Sequence, residues 1–513
     1  MTPDRAGGYP TIGKRARALI LAHPDAFALG LIVVVAALIR AAFAFRVPVF
    51  LLRDSVSYFL PAWDLLNGYG FDISVRRTPT YPAFLVGAMA LFGEDLLAIA
   101  FAQHILGVGM AVLVYILGRL TVGRVAGLLA ALVTALNGAL LISEHYLMPE
   151  TALIFLLLLT FVLFMVALRN GRRTLFLGAG LLLGLSLLCK PVAQVLIPVL
   201  PFMVAVSYRS VRRAVVPSML IGAGVVIVMA PWMVRNYVEH GSLTTAGALG
   251  QTLVARTAKH DTGFDWYDEK ASGSYERREG IARQLVSNGI KQRLSDGVIY
   301  RRVQDRFGMT DPEINHFMRN LATQVILEQP WYYLQGTVKM TWQLLAGEPE
   351  KLSNDWKTQN ARLSREEWDD RIEHLLSRAT TPQRNELDSA SAIVSLVQPP
   401  AWGPTMPLLF ILGTVVLALT PRLRPALLLS LSTLALIVTC AALDGPVVRY
   451  RYPVDPMIAL VAAFAVTWLV GQVVALVRRT RAAGATGAIS RPSATRQSAP
   501  VGSPNAEQAP RGV

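Results

Sequence analysis

Asp54, in the run Arg53-Asp54-Ser55-Val56-Ser57-Tyr58, lies a short way before Arg76-Arg77-Thr78-Pro79-Thr80-Tyr81-Pro82. These residue types can perform group transfer from a phosphate-bearing donor. A carboxylate near a hydroxyl takes its proton as the hydroxyl attacks, and a neighbouring guanidinium stabilises the departing phosphate. The same ingredients recur along the chain. Glu144 and His145 precede Met148-Pro149-Glu150, and Glu150 stands at a helix start, where the positive end of the helix dipole favours a carboxylate. Lys190 follows an apolar run, Arg235 opens a long hydrophilic segment, and Arg449 and Arg451 precede the last apolar run. No one of these signals is specific; their placement on one side of a membrane gives them force.

The elements that must position them are membrane helices. The chain has 513 residues, of which 53% are hydrophobic and 16% charged, too apolar for a water-soluble domain. Apolar runs fall near 26–45, 95–118, 125–142, 151–168, 174–189, 191–206, 214–233, 405–420, 426–442 and 457–477. A hydrocarbon layer of about 30 Å takes roughly 20 such residues. The expected fold is therefore an all-α polytopic membrane protein with about ten transmembrane helices and a mainly helical outer segment. The net charge of +15 does not point to nucleic acid, because many of the cations occupy short loops and tails, where they set orientation. Cys189 and Cys440 sit in or beside apolar runs and read as packing residues.

With the first end inside, Arg119 and Arg124, then Arg169, Arg172 and Arg173, then Arg209, Arg212 and Arg213, then Arg422 and Arg424, and last Arg478, Arg479 and Arg481 all return to the same side. The expected divisions are 1–25 as an inner N-terminus, 26–236 as the membrane core with an outer loop 46–94, 237–404 as an outer segment, 405–477 as further spans and 478–513 as a disordered tail. The run Tyr81–Gly93 is too short to cross and reads as a helix along the outer surface. Two capping boxes are expected, Thr310 with Glu313 and Ser364 with Glu367, each before a helical period. Trp331, Tyr332, Tyr333, Val338, Trp342 and Leu345 make an amphipathic stretch suited to the interface. In this arrangement the outer loops hold Asp54, Arg76, Arg77, Glu144, His145, Glu150, Lys190, Arg449 and Arg451. Arginine outside runs against the orientation rule, and an anionic partner at headgroup level accounts for it.

Taken in order, Asp54-Ser55-Val56-Ser57-Tyr58, Asn67-Gly68-Tyr69-Gly70-Phe71, Arg77 to Pro82, Leu147 to Glu150, Pro231-Trp232-Met233-Val234-Arg235-Asn236-Tyr237 and Arg449-Tyr450-Arg451-Tyr452-Pro453 form a pattern. It resembles that of bacterial C-type glycosyltransferases, above all the protein O-mannosyltransferase-like enzymes and the aminoarabinose lipid A transferases. The resemblance extends from about Phe27 to Val477. It implies a polyprenyl-phosphate-linked sugar donor, a site facing the periplasm of a bacterial inner membrane, and an acidic base in the first outer loop. That base maps to Asp54, and the second acidic position maps to Glu150. Relatives often carry a second acid directly after the first, where this chain has Ser55, so a divalent metal stays an open question and no other cofactor is implied. His145 stands where relatives often have arginine.

The expected reaction is an inverting displacement: Asp54 deprotonates an acceptor hydroxyl on lipid A, a polysaccharide or a protein, and the polyprenyl phosphate departs. Arg77, Lys190, Arg235 and Arg451 are the expected donor-phosphate ligands, Glu150 and His145 position the sugar or acceptor, and Tyr81, Glu144 and Arg449 are further expected substrate or phosphate contacts. One of Arg76 and Arg77 is expected to be an interfacial anchor for the short surface helix, with Arg77 the better phosphate candidate, and His104 to be a packing or hydrogen-bonded residue rather than a metal ligand. The rival reading is a transporter or flippase of lipid-linked sugars, which would place intramembrane charges along a path and show related halves. No such repeat is evident in the sequence.

Overall fold

The computed structural model describes residues 22–44, 47, 49, 53–269, 273, 275–347 and 405–489. It is helical, with no strand among the described residues. Among the described residues seven helices are long and apolar enough to cross a membrane. They are α1 (Pro24–Ala44), α4 (Leu96–Thr121), α7 (Glu150–Asn170), α9 (Leu196–Tyr208, extended by a leading turn from Pro191), α10 (Val211–His240), α17 (Arg424–Leu443, with its own leading turn from Pro421) and α18 (Asp455–Ile489). The other three expected spans are shorter: α5 (Arg124–Ala135), α8 (Arg173–Leu187) and α16 (Thr405–Ala418). The run 125–142 was expected as one helix, and the structure breaks it after α5. There Asn137 caps a six-residue helix, α6 (Gly138–Ser143), by accepting from the amides of Ala139 and Leu140.

Two short helices lie between α1 and α4. Helix α2, Arg53–Leu66, carries Asp54 in its first turn, so Asp54 is not the free loop residue of the sequence reading. Helix α3, Thr80–Phe92, is the expected short apolar helix, stopped by Gly93 at φ 95°.

Close packing in the bundle rests on small residues, as lipid-solvated helices require. Where α8 meets α10, a side chain on Gly180 would strike the carbonyl of Ile221, and one on Gly224 would strike that of Leu177. The outward faces carry exposed apolar side chains such as Leu38, Phe101, Val226, Ile227 and Leu408.

The hydrophilic segment is folded where it is described. It contains α11 (Leu249–Val254), a π-helical turn (Ala255–Lys259), α12 (Arg277–Lys291), α13 (Asp296–Phe307), α14 (Asp311–Glu328) and α15 (Pro330–Ala346). Leu253, Val254, Trp266, Val286, Ile299, Val303, Ile314, Met318, Leu321 and Val325 form its own core. The Thr310–Glu313 capping box opens α14 as expected. The Ser364–Glu367 box and the tail beyond 489 lie outside the described residues. By contacts the chain divides into Met1–Val466 and Thr467–Val513. The first unit holds everything discussed below, and the second contributes the C-terminal part of α18, with Arg478, Arg479 and Arg481.

Candidate active site

A cavity of about 890 Å³ opens between the first outer loop, the turn before α7, the folded hydrophilic segment and the loop between α17 and α18. Asp54, Ser57, Arg76, Arg77, Tyr146, Glu150, Lys259, His260, Asp296, Arg301, Asp444, Arg449 and Tyr450 are among the residues that line it. All of them come from the segments that the sequence assigns to one side.

Asp54 sits between two guanidinium groups. Arg77 donates from Nη2 to Oδ1 at 2.7 Å, and Arg449, almost four hundred residues away in sequence, reaches Oδ2 at 3.4 Å. Arg77 also donates to the Tyr58 hydroxyl at 3.2 Å and lies over that ring, 4.7 Å from its centre. Partial burial by itself would raise the Asp54 carboxyl, and the two arginines outweigh it and hold the group below the ordinary carboxylate range. Burial pushes the Tyr58 phenol up to about 12, so it stays protonated. Nε of Arg449 is buried without a hydrogen-bond partner.

Glu150 opens α7, with Pro149 in front of it. Lys190 donates to its Oε1 at 2.8 Å, while Oε2 is buried with no hydrogen-bond partner. A buried carboxylate oxygen is costly to leave unpaired, so one that lines a cavity is ready to accept from a ligand hydroxyl. The Lys190 ammonium also lies 4.7 Å from the centre of the Tyr450 ring.

Other expected site residues sit elsewhere. Glu144 and His145 do not line the cavity. They are fully buried in a polar cluster inside the bundle, where Arg40 donates to Glu144 Oε1 at 2.6 Å, His104 Nδ1 lies 2.6 Å from Oε2, and His104 Nε2 lies 2.9 Å from His145 Nε2. Glu144, at the end of α6, is thus held between α1 and α4 rather than at the cavity, and His104 is hydrogen-bonded as expected. Tyr81 is not among the lining residues; it is buried edge-on to Tyr58, with its hydroxyl donating to Gln103. Arg235 is spent on the carbonyl of Ile73, on Asn236 and on Glu239, and it lies over the Trp232 ring. Arg451 is buried on Asp455 at 2.6 Å and on the carbonyls of Leu345 and Gly347. Arg76 pairs with Asp311 at 2.9 Å while still lining the cavity.

Sequence reasoning missed Lys259, His260, Asp296, Arg301 and Asp444. The one available signal was Asp444, an acidic residue directly after a span and close before Arg449. Among the described residues no group of three or more histidine, cysteine or acidic side chains is placed to hold a metal.

The fold and this cleft define a polytopic, all-helical membrane protein with a charge-lined cavity at one end of its bundle. Within that class, residues 76–234 match the family of dolichyl-phosphate-mannose-protein mannosyltransferases, so the resemblance seen in the sequence holds over that stretch, under a third of the chain. No curated protein sequence matches significantly. Among solved structures, the chain is similar to the archaeal oligosaccharyltransferase AglB from Archaeoglobus fulgidus in complex with an inhibitory peptide and a dolichol-phosphate, at 16% identity and TM-score 0.48, over 90% of this chain and 52% of that one. It is also similar to ArnT from Cupriavidus metallidurans bound to undecaprenyl phosphate, at 14% identity and TM-score 0.38, over 85% and 77%. The chain spans about half the length of the oligosaccharyltransferase.

Proposed function

We propose that the protein is a glycosyltransferase that moves a sugar from a polyprenyl-phosphate-linked donor to an acceptor hydroxyl at the outer face of a bacterial inner membrane. The observation that carries this reading is the convergence of Arg77 and Arg449 on Asp54 at the cavity wall. Two guanidiniums on one carboxylate form an anion site that is filled, for the moment, by the protein's own acid. The family matched over 76–234 is named for a sugar carried on a lipid phosphate. Such a phosphate competes with Asp54 for both arginines. As they turn to the donor, Asp54 loses the charges that depress it and gains basicity where a base is needed.

In this mechanism Asp54 accepts the acceptor's proton as the hydroxyl oxygen bonds to the anomeric carbon. The bond from that carbon to the phosphate oxygen breaks with its electron pair, and Arg77 and Arg449 stabilise the departing phosphate. One displacement inverts the configuration. Glu150, held by Lys190, accepts from a sugar hydroxyl through its open oxygen. Arg235 and Arg451, committed elsewhere, are left out of the donor site. The described part of the hydrophilic segment supplies the acceptor side.

The test is transfer by protein reconstituted in vesicles with a polyprenyl-phosphate sugar. Asp54→Asn is expected to lower turnover by about 10²–10⁴-fold, the range of a lost general base, with donor binding retained. Movement of the donor across vesicles without any product would instead establish the transporter.

A further inference from the structure

The cavity lining includes two acids that the mechanism above does not use, Asp296 and Asp444. Asp444 follows the last residue of α17 and lines the cavity, accepting on Oδ2 from the Tyr450 hydroxyl. His260 lines the same wall, its Nε2 3.9 Å from Asp444 Oδ1. The local fold explains how they meet. The π-helical turn Ala255–Lys259 ends at His260, and such turns insert a residue that re-aims the side chains after it. Gly445 leaves room for the imidazole, because a Cβ there would stand 2.5 Å from the His260 ring and force it to shift.

Two neighbouring contacts fasten the same junction without reaching the cavity. Arg256 donates to the carbonyl of Ala441 at 3.0 Å, and the Tyr333 hydroxyl donates to that of Ala442 at 3.0 Å. His260 and Asp444 therefore sit at a junction already held by other groups. Burial raises the Asp444 carboxyl and lowers the His260 imidazole, which keeps both less charged than free side chains.

Tyr450 joins this wall to the donor side. Its hydroxyl is on Asp444 and its ring is under Lys190, which holds Glu150. We propose that His260 and Asp444 form the acceptor-binding pair, hydrogen-bonding the hydroxyl-bearing group of the acceptor and presenting it to the reacting centre. This rests on the transferase reading.

The experiment uses the full-length protein in vesicles, a set of radiolabelled polyprenyl-phosphate hexoses and pentoses from which the donor is chosen on the wild type, and envelope material extracted from cells lacking the protein as titrated acceptor. Asp444→Asn and His260→Gln are expected to raise the half-saturating amount of acceptor about tenfold, the effect of losing one good hydrogen bond to a charged or strongly polar group. The donor's half-saturating concentration and the turnover at saturating acceptor stay within about twofold, which also shows that the variants fold. Tyr333→Phe, which loosens the junction alone, is expected to leave the acceptor constant unchanged. An unchanged acceptor constant in Asp444→Asn and His260→Gln overturns the proposal, as does an equal rise in Tyr333→Phe, which would make the pair junction packing. A wild-type protein that transfers nothing removes the transferase reading and the pair's role with it, an outcome distinct from a working enzyme whose variants bind acceptor normally.

Discussion

In the proposed mechanism Asp54 carries opposite demands at the scale of one residue. A base works best with a pKa near the working pH, yet Arg77 and Arg449 hold this carboxyl below its usual range. The arrangement makes sense if the donor's phosphate relieves it, so that the base is released only when the leaving group is in place. Arg449→Ala is accordingly expected to weaken donor binding by about tenfold, the loss of one charge-assisted contact, as read from donor titrations in vesicles. The same ion pairs have a consequence for stability. A carboxyl whose folded pKa is depressed stabilises the fold above its unfolded value, near 3.9, and that stabilisation is lost as pH falls through the lower folded value. Thermal unfolding in detergent should therefore show a loss of stability below about pH 4 that is smaller in Asp54→Asn.

The decisive feature among the elements is the buried charge between α1, α4 and the turn after α6. Arg40 and Glu144 are 2% and 0% exposed, and Gly107 on α4 leaves the room they occupy, since a side chain there would strike both. Gln103 on the same helix donates to the carbonyls of Glu144 and Tyr146 at 2.8 and 2.9 Å. The cluster thereby fixes the strand of chain that brings Tyr146 and Glu150 to the cavity. An unpaired charge left by breaking a buried ion pair costs about 3–5 kcal/mol. Glu144→Gln is expected to destabilise the protein by that order, and the double change Arg40→Met with Glu144→Gln to recover most of it, measured by unfolding in detergent. Gly107→Ala is expected to act in the same direction as Glu144→Gln by crowding the pair.

Orientation is the property of the whole molecule that the proposed function requires. The cavity-lining residues belong to segments that the alternation of spans and arginine-rich loops puts on one side, opposite Arg172. Exposed positions allow a direct check. A cysteine introduced at Gln292, on the hydrophilic segment, should react with an impermeant maleimide in spheroplasts, whereas one at Arg172 should react only after permeabilisation. Both positions are exposed. The reverse pattern would place the cavity on the inner side and exclude a periplasmic reaction. Helix α15 adds a second whole-molecule feature, with Trp331, Leu334, Val338 and Trp342 exposed on it, a composition suited to headgroup depth.

The sequence alone determined what depends on local composition. Apolar length marked the spans, Gly93 wrote the stop of α3 in a plain residue type, Thr310 and Glu313 announced α14, and the ordered motifs named Asp54, Arg77, Glu150 and Arg449, four of the residues that line the cavity. Tertiary structure alone decided which of the charged residues share a space. Glu144, Arg235 and Arg451 looked equivalent to Glu150, Arg77 and Arg449 because a side chain's type says nothing of the partner it will meet. Packing gave the first three internal partners and the others a cavity wall. Asp444 and His260 were invisible for the same reason: their meeting depends on a π-helical turn and a glycine that lie far apart along the chain and touch only once it has folded.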